Sequence, residues 1–588
     1  METVLTLILL PAVASVSVAV FPFVRVQYIL ITAVFAMLSM AVLSFYTSTD
    51  VLTLHLSYTL NECIIAADIV LLLYFLYQGI KLNSFKVILL AAVQLLLYGY
   101  AESVAPAGGS AEIIVDDLSR FMFLIINIVG GIIVLYSVRY MEDEPSSPFK
   151  KRLFISGLLL FLSVMNVTVC ANSLLLFFFL FEMTTLASYQ LIAFRNDEIS
   201  RTNALRALWM NQIGGVVILL AALVAINSFG TLMFDTLLEH SGGMVLFSVA
   251  LLSMAALVKG ASIPFDGWLL GAMVAPTPVS AMLHSATMVK IAPYLILKLA
   301  PALGATLLGG VVSVTGALVF VAASYLALSR SVFKEILGYS TVALLGLMMA
   351  LAAIGTKESM MLAMVLILFH ALSKALLFLA AGVLEKQYHL KNIEEMSAMV
   401  HRAPKTVGFI LLGFVSLTLP PFGLFMGKLF AITSVASLLR ERPLLLIVLL
   451  GIIIGSALLV LLYFKVSSAL LAHPSDTVQT EDERIPYGFG IPLALLSVLI
   501  IGAAAGFIMI QRDVMLVLFA FPLLFVFALP SIVRGMERYD RTGPYHCGEK
   551  EPFDAALVYY EPSVTLKQAI YWGFGILFVA VAFVGALS

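Results

Sequence analysis

Residues 251–264 read LLSMAALVKGASIP, an apolar run that carries Lys259 and ends on Pro264. A charged side chain at membrane depth costs at least about 2.5–3.5 kcal/mol. Proline has no N–H, and its ring crowds the carbonyl four residues back, here that of Gly260. The helix is therefore expected to break just after the lysine and to leave bare carbonyls beside it. Irregular backbone at that depth is tolerated where it lines a polar cavity. The same grammar recurs at Leu419-Pro420-Pro421-Phe422-Gly423, with Lys428 two turns later. Two proline-interrupted spans, each with a lysine and each in its own half of the chain, are the pattern expected of internally repeated transporters. The competing reading is a kinked packing helix whose lysine snorkels to the interface.

The rest of the chain supports membrane depth. Of 588 residues, 62% are hydrophobic and only 11% are charged, with a mean hydropathy of +1.08. A soluble domain carries about 25% charge, so this composition excludes one, and so high an apolar content excludes disorder. The 33 Lys and Arg nearly cancel the 34 Asp and Glu, leaving no basic excess for nucleic acid. Cys63, Cys170 and Cys547 are too widely separated for a disulfide framework or a CxxC metal site. Eighteen apolar stretches are long enough to cross a hydrocarbon core of roughly 30 Å. The weakest are 87–100, which is short, and 405–435, which is long. The first, 4–21, lacks the basic n-region of a signal peptide.

Lys and Arg concentrate in cytoplasmic loops. With the N-terminus outside, 23 of them fall in inside loops and 5 in outside loops. That asymmetry predicts N-out, C-out topology. Arg120 lies at an outer helix end, and four cations remain: Lys259, Lys290, Lys374 and Lys428. All four lie within apolar spans.

Other polar residues join them. His370 and Lys374 are spaced i,i+4 and so share a helix face. His284 and Lys290, six apart in one span, point about 120° apart on a regular helix and would serve successive points. A lone buried histidine is ordinarily a satisfied core residue; two, each sharing a span with a lysine, favour a protonatable chain. With no third imidazole or thiolate at ligand spacing, zinc is not expected. Glu182, in the run LLLFFFLFEMTTLASYQL from 174 to 191, needs a cationic partner or a proton, and Lys259 is the natural candidate. Glu62 and Asp68, six apart in the third span, read as polar packing on a peripheral helix.

Together these residues resemble the antiporter-like family, the large membrane subunits of respiratory complex I, Mrp-type Na⁺/H⁺ antiporters and energy-converting hydrogenases. The resemblance spans roughly 115–465. It is carried by VDDLS at 115–119, the span around Glu182, Val258-Lys259 with Pro264 and Gly267-Trp268-Leu269, APTPVSAMLHSATMV at 275–289, HALSKALLFL at 370–379 and PPFGLFMGK at 420–428. It implies that Glu182 is the essential glutamate, Lys259 its partner, His284 and Lys290 linking residues, His370 and Lys374 a central pair, and Lys428 the terminal residue on the second broken helix. The apolar spans give an all-α integral membrane fold of about 16–18 transmembrane helices, and the resemblance implies two inverted five-helix repeats within it, each containing a Pro-broken helix. The expected division is N-terminal helices at 1–117, repeats at 118–297 and 306–464, and C-terminal helices and loop at 465–588.

The chain departs from the family in surplus spans near 59–100. It also carries a proline- and glycine-rich loop, 534–567, with little room for a long lateral helix. Its segment Pro544-Tyr545-His546-Cys547-Gly548-Glu549 is similar to one in energy-converting hydrogenases and formate hydrogenlyases, and His546 and Cys547 are read as structural. The implied role is a proton-translocating, or sodium-translocating, subunit in a prokaryotic inner membrane, itself without catalytic chemistry. Its implied partners are other membrane subunits and a peripheral redox arm of a complex, most like a nickel–iron hydrogenase. No nucleotide, flavin or iron–sulfur motif occurs, so the nickel–iron centre and iron–sulfur clusters are expected in those partners. The alternative is a subunit of an Mrp-type antiporter with no redox partner.

Overall fold

The computed structural model describes residues 2–46, 51–106, 112–472, 483–511 and 563–587. Among them it contains 16 helices long and apolar enough to cross a membrane. With no water to satisfy backbone groups in the bilayer, helices are the natural outcome of such apolar runs. Polar residues set where they start. The side chains of Ser57, Ser147, Ser173, Asp197 and Thr306 accept a backbone N–H at their helix N-termini, and Thr356 with Ser359 forms a capping box.

Four N-terminal helices, α1 (Glu2–Val20), α2 (Val24–Tyr46), α3 (Tyr58–Lys81) and α4 (Phe85–Val104), lie at the periphery. Between α2 and α3 a three-residue strand, Leu52–Leu54, pairs antiparallel with Ile113–Val115. The next span is α5 (Asp117–Leu124) and α6 (Gly130–Glu142), separated by a π-helical turn at Ile125–Val129. Asp116 caps α5 by accepting from the Ser119 N–H at 2.8 Å. Then come α7 (Pro148–Thr168), α8 (Leu174–Ile192), α9 (Glu198–Phe229) and the short α10 (Phe234–Glu239).

The first broken helix is α11 (Gly243–Lys259) and α12 (Asp266–Gly271). It ends at Lys259, as Pro264 predicts. One freed carbonyl, that of Val258, accepts from Trp268 Nε1 at 3.0 Å. The span expected at 279–297 is not one regular helix. It consists of α13 (Thr277–Ala281), a π turn at Met282–Ala286, a 3-10 turn at Met288–Lys290 and α14 (Ile291–Leu303). Thr287, with φ −124° and ψ −107°, interrupts the helix. The 120° argument for His284 and Lys290 assumed regular geometry and does not apply.

Helices α15 (Leu307–Leu328), α16 (Phe333–Ile354) and α17 (Lys357–Tyr388) follow. The core centres on α16, whose residues are buried from Gly338 to Ile354 without interruption. After α18 (Met399–Arg402), the long run at 405–435 resolves into α19 (Pro404–Thr418) and α20 (Gly423–Ser437), broken at the expected prolines Pro420 and Pro421. The last described helices are α21 (Leu445–Leu470), α22 (Tyr487–Gln511) and α23 (Val564–Leu587). Helix α23 packs against α11, and Tyr571 Oη donates to Asp266 Oδ2 at 2.7 Å, securing the first break.

Of the eighteen expected spans, sixteen correspond to the sixteen long helices. The stretch 244–264 is the shorter α11 with its break, and 514–533 lies outside the described residues, as does the His546–Cys547 segment.

Candidate functional site: a buried row of titratable side chains

Glu182, Lys259, His284, Lys290, His370 and Lys374 have no exposed surface, and Lys428 is 3% exposed. Snorkelling is thereby excluded for the lysines. Each buried ammonium finds oxygen or nitrogen partners inside the protein, as the cost of an uncompensated charge requires.

Three groups emerge along helices that pack in succession. The first joins α8, α9, α11 and α4. Lys259 Nζ donates to the Phe181 carbonyl and to Thr185 Oγ1, each at 3.0 Å, and sits 3.8 Å from the centre of the Phe181 ring. Glu182 Oε1 accepts from Gln94 Nε2 at 2.8 Å. The expected direct ion pair between Glu182 and Lys259 is therefore not formed. The two interact through charge without touching, because Lys259 turns into the carbonyl and hydroxyl of the α8 turn while an amide occupies Glu182. Gln94 also donates to the Gln212 carbonyl at 2.9 Å, which fixes α4 against α9. An isolated glutamine in the apolar run of α4 was the only sequence signal for this contact.

The second group joins the interrupted α13–α14 segment to α16 and α17. Lys290 Nζ lies 2.5 Å from His370 Nδ1. Two arrangements make this hydrogen bond, an ammonium donating to an imidazole lone pair or an imidazole N–H donating to an amine. Lys374 instead donates to the Leu337 carbonyl at 2.9 Å and to Ser340 Oγ. His370 and Lys374 are thus not a mutual pair; the partnership of His370 is with Lys290, across two helices. The His284 ring packs at a tilt against Phe378, 4.7 Å between ring centres, within charge interaction of both Lys290 and Lys374.

The third group is Lys428 alone on α20. Its ammonium donates to the Leu417 carbonyl at 3.1 Å, one of the carbonyls freed by the second break. Between the second and third groups, Ser416 Oγ donates to Ser373 Oγ at 2.6 Å. These hydroxyls neighbour Lys374 and Leu417 in sequence, and sequence reasoning missed them.

Ion pairs close one face of the protein. Glu144 binds Arg195 at 2.9 Å and Lys386 at 2.6 Å, and Lys334 binds Glu385 at 2.6 Å. Burial pushes the Glu144 carboxyl up, but the Arg195 and Lys386 bonds outweigh it and hold the group below the usual carboxylate range. A cavity of about 330 Å³ lined by Arg195, Lys334, Glu385 and Lys391 opens beside this network.

Fold and site together define a polytopic membrane protein whose broken helices bring a row of protonatable groups into its interior. Family comparisons agree. Residues 171–455 match the model for the membrane region of NADH:quinone oxidoreductase and Mrp antiporter subunits. Residues 108–149 match the N-terminal model for chain 5 of NADH-ubiquinone oxidoreductase, complex I. Over these residues the chain is similar to antiporter-like membrane subunits.

It is 30% identical over 351 residues to an Na⁺/H⁺ antiporter subunit of Alkalihalophilus pseudofirmus, covering 55% of this chain and 43% of that one. The chain spans about half or less of the length of the curated relatives it matches. In fold it is similar to a chain of the membrane-bound sulfane sulfur reductase, an archaeal respiratory membrane complex, with a TM-score of 0.64 at 18% identity over 91% of this chain and 97% of the other. It also matches a chain of the Mrp complex of Dietzia sp. DQ12-45-1b, with a TM-score of 0.60 at 18% identity over 81% and 99%.

Proposed function

We propose that this chain exchanges protons for sodium as the large membrane subunit of an Mrp-type antiporter complex. The ions would pass along Glu182, Lys259, Lys290 with His284 and His370, Lys374 and Lys428. The observation that carries this reading is the grouping itself, in which six fully buried titratable side chains and a nearly buried seventh lie along successive packed helices. The likeness to an Na⁺/H⁺ antiporter subunit supports exchange over a redox-driven machine.

Each group has a distinct chemical task. Lys259, held by neutral oxygens and only electrostatically by Glu182, can gain or lose a proton without breaking an ion pair. A proton arriving on Glu182 weakens its attraction for the ammonium and favours proton release from Lys259. The Lys290–His370 pair passes one proton across the helix interface. The Ser373–Ser416 hydroxyls offer a hydrogen-bonded step toward Lys428, and water bridges the remaining intervals. Successive steps are coupled titrations of one set, not independent events. The same reading takes 118–297 and 306–464 as inverted repeats, with both termini outside a prokaryotic inner membrane.

The test is sodium-driven proton exchange in everted vesicles containing the whole complex. Lys259→Ala and Glu182→Gln should each lower the rate more than about tenfold, about 1.4 kcal/mol, while the complex still assembles. Unchanged exchange in both variants would sink the proposal. The second reading is a redox-driven complex, such as an energy-converting hydrogenase with its metal centres in partner subunits. It is supported by the fold shared along nearly the whole chain with a respiratory complex component. It predicts ion movement only when an electron donor is supplied.

A further inference from the structure

Helices α3 and α4 precede the family-matched residues, yet they reach the row at Glu182. On α4, Gln94 and Tyr98 are i,i+4 and share a face. Gln94 bonds Glu182, and Tyr98 stacks on Phe178 at 5.8 Å. Phe178 and Glu182 are again i,i+4, so α4 lies along α8 in two rungs. Against this ladder α3 presents Asp68, which has no exposed surface and no hydrogen-bond partner on either oxygen among the described residues. Gln94 Oε1 and Glu182 Oε2 are likewise buried and unpartnered.

The groups that interact with Asp68 are Glu182 from α8 and Glu102 and Tyr98 from α4. No lysine or arginine is among them. A carboxylate so placed has nothing to compensate a negative charge except a bound proton or another cation. Glu102, half-buried near the end of α4 and bonded to Tyr98, interacts in turn with Glu62, which is exposed at the start of α3. Four carboxyl groups thus lead from the protein surface to the row. Gln94 points N–H donors at Glu182 and Gln212, and the Lys259 ammonium lies beyond. Both disfavour a metal cation at the inner end, whereas a proton needs only an acceptor oxygen.

We propose that Glu62, Glu102 and Asp68 form a proton access path through α3 and α4, delivering to Glu182 from the membrane face at which α3 begins. In the last step a protonated Asp68 gives its proton through water to the Glu182 carboxylate. Asp68 is left ionised and takes its next proton from the Glu102 side; no electron moves and no bond between heavy atoms changes.

The path rests on the transport reading above, so Lys259→Ala is run beside it in vesicles containing the whole complex. Asp68→Asn is expected to lower sodium-driven proton exchange at least tenfold in an assembled complex, and Asp68→Glu, which keeps the carboxyl, to restore most of it. Infrared difference spectra of the purified complex should lose one pH-titrating carboxylic-acid band in Asp68→Asn. Wild-type exchange in Asp68→Asn with none in Lys259→Ala overturns the path and spares the transport reading. Equal loss in Asp68→Asn and Asp68→Glu marks a packing role and also overturns it. Undiminished exchange in Lys259→Ala overturns the transport reading itself.

Discussion

Gly215 on α9 sits where the Gln94–Glu182 hydrogen bond passes, and a Cβ there would overlap both Glu182 Oε1 and Gln94 Nε2. Gly215→Ala therefore separates the site from the fold. In helix propensity alone alanine gains about 1 kcal/mol over glycine. Against this, overpacking costs about 1–3 kcal/mol and loss of a bond to the carboxyl about 1.5–3 kcal/mol. The overlapped atoms are the ends of side chains that can swing away, so the net destabilisation should be about 2 kcal/mol and the complex should assemble. The carboxyl, however, must move by about 1 Å, a misplacement that costs about a hundredfold in rate where geometry governs transfer. The assay is sodium-driven proton exchange in vesicles, normalised to the amount of assembled complex. Gly99→Ala on α4 is the control, because nothing lies within 4 Å of its added methyl. A Gly215→Ala complex that exchanges within about twofold of wild type would refute the close-packed carboxyl–amide site.

Three other outcomes are expected. Lys290→Met removes the partner of His370 Nδ1 and should cut exchange more than about tenfold, and His370→Gln, which keeps an acceptor for the lysine but cannot carry a proton, should cost as much; near wild-type exchange in His370→Gln would argue against a relay through the imidazole. Trp268→Phe removes one of the two hydrogen bonds to the Val258 carbonyl at the first break, leaving that from the Ala261 N–H, and should lower thermal stability by about 0.5–1.5 kcal/mol, read by unfolding of the detergent-solubilised protein. Glu144 has a lowered folded-state pKa, so its contribution is complete above the ordinary carboxylate value of about 4.3 and fades as pH falls through the lower folded value. Glu144→Gln should therefore destabilise by about 2 kcal/mol near neutral pH, reduced because Arg195 is one-third exposed. Melting curves of the two proteins should converge under acid, and a gap that widened there would contradict the assignment.

The two breaks were legible because proline acts on its own chain: a missing N–H and a crowded carbonyl end a helix whatever packs around it. Burial of Lys259, Lys290, Lys374 and Lys428 was legible by subtraction, since each lies inside an apolar run with no loop within reach. The third interruption, at Thr287, was not. No proline falls between 282 and 290, and the π and 3-10 turns there arise where α13 and α14 pack among α6, α16 and α17. Asp68 read as peripheral polar packing because α3 is largely exposed. Its own burial follows from facing α4 and α8, which no periodicity within α3 reports.

Composition and local pattern by themselves determined a membrane-spanning all-α chain, the positions of its described spans and two proline breaks, and the four lysines held at depth. Which of those charges meet was decided only by the tertiary structure. Glu182 is bound by Gln94, 88 residues before it, instead of by Lys259, and His370 by Lys290, 80 residues before it, instead of by Lys374 one turn away. Helical spacing fixes which face a side chain shares with its neighbours on the same helix. Hydrogen-bond partners across helices depend on which helices pack together and at what height, and that is a property of the assembled bundle.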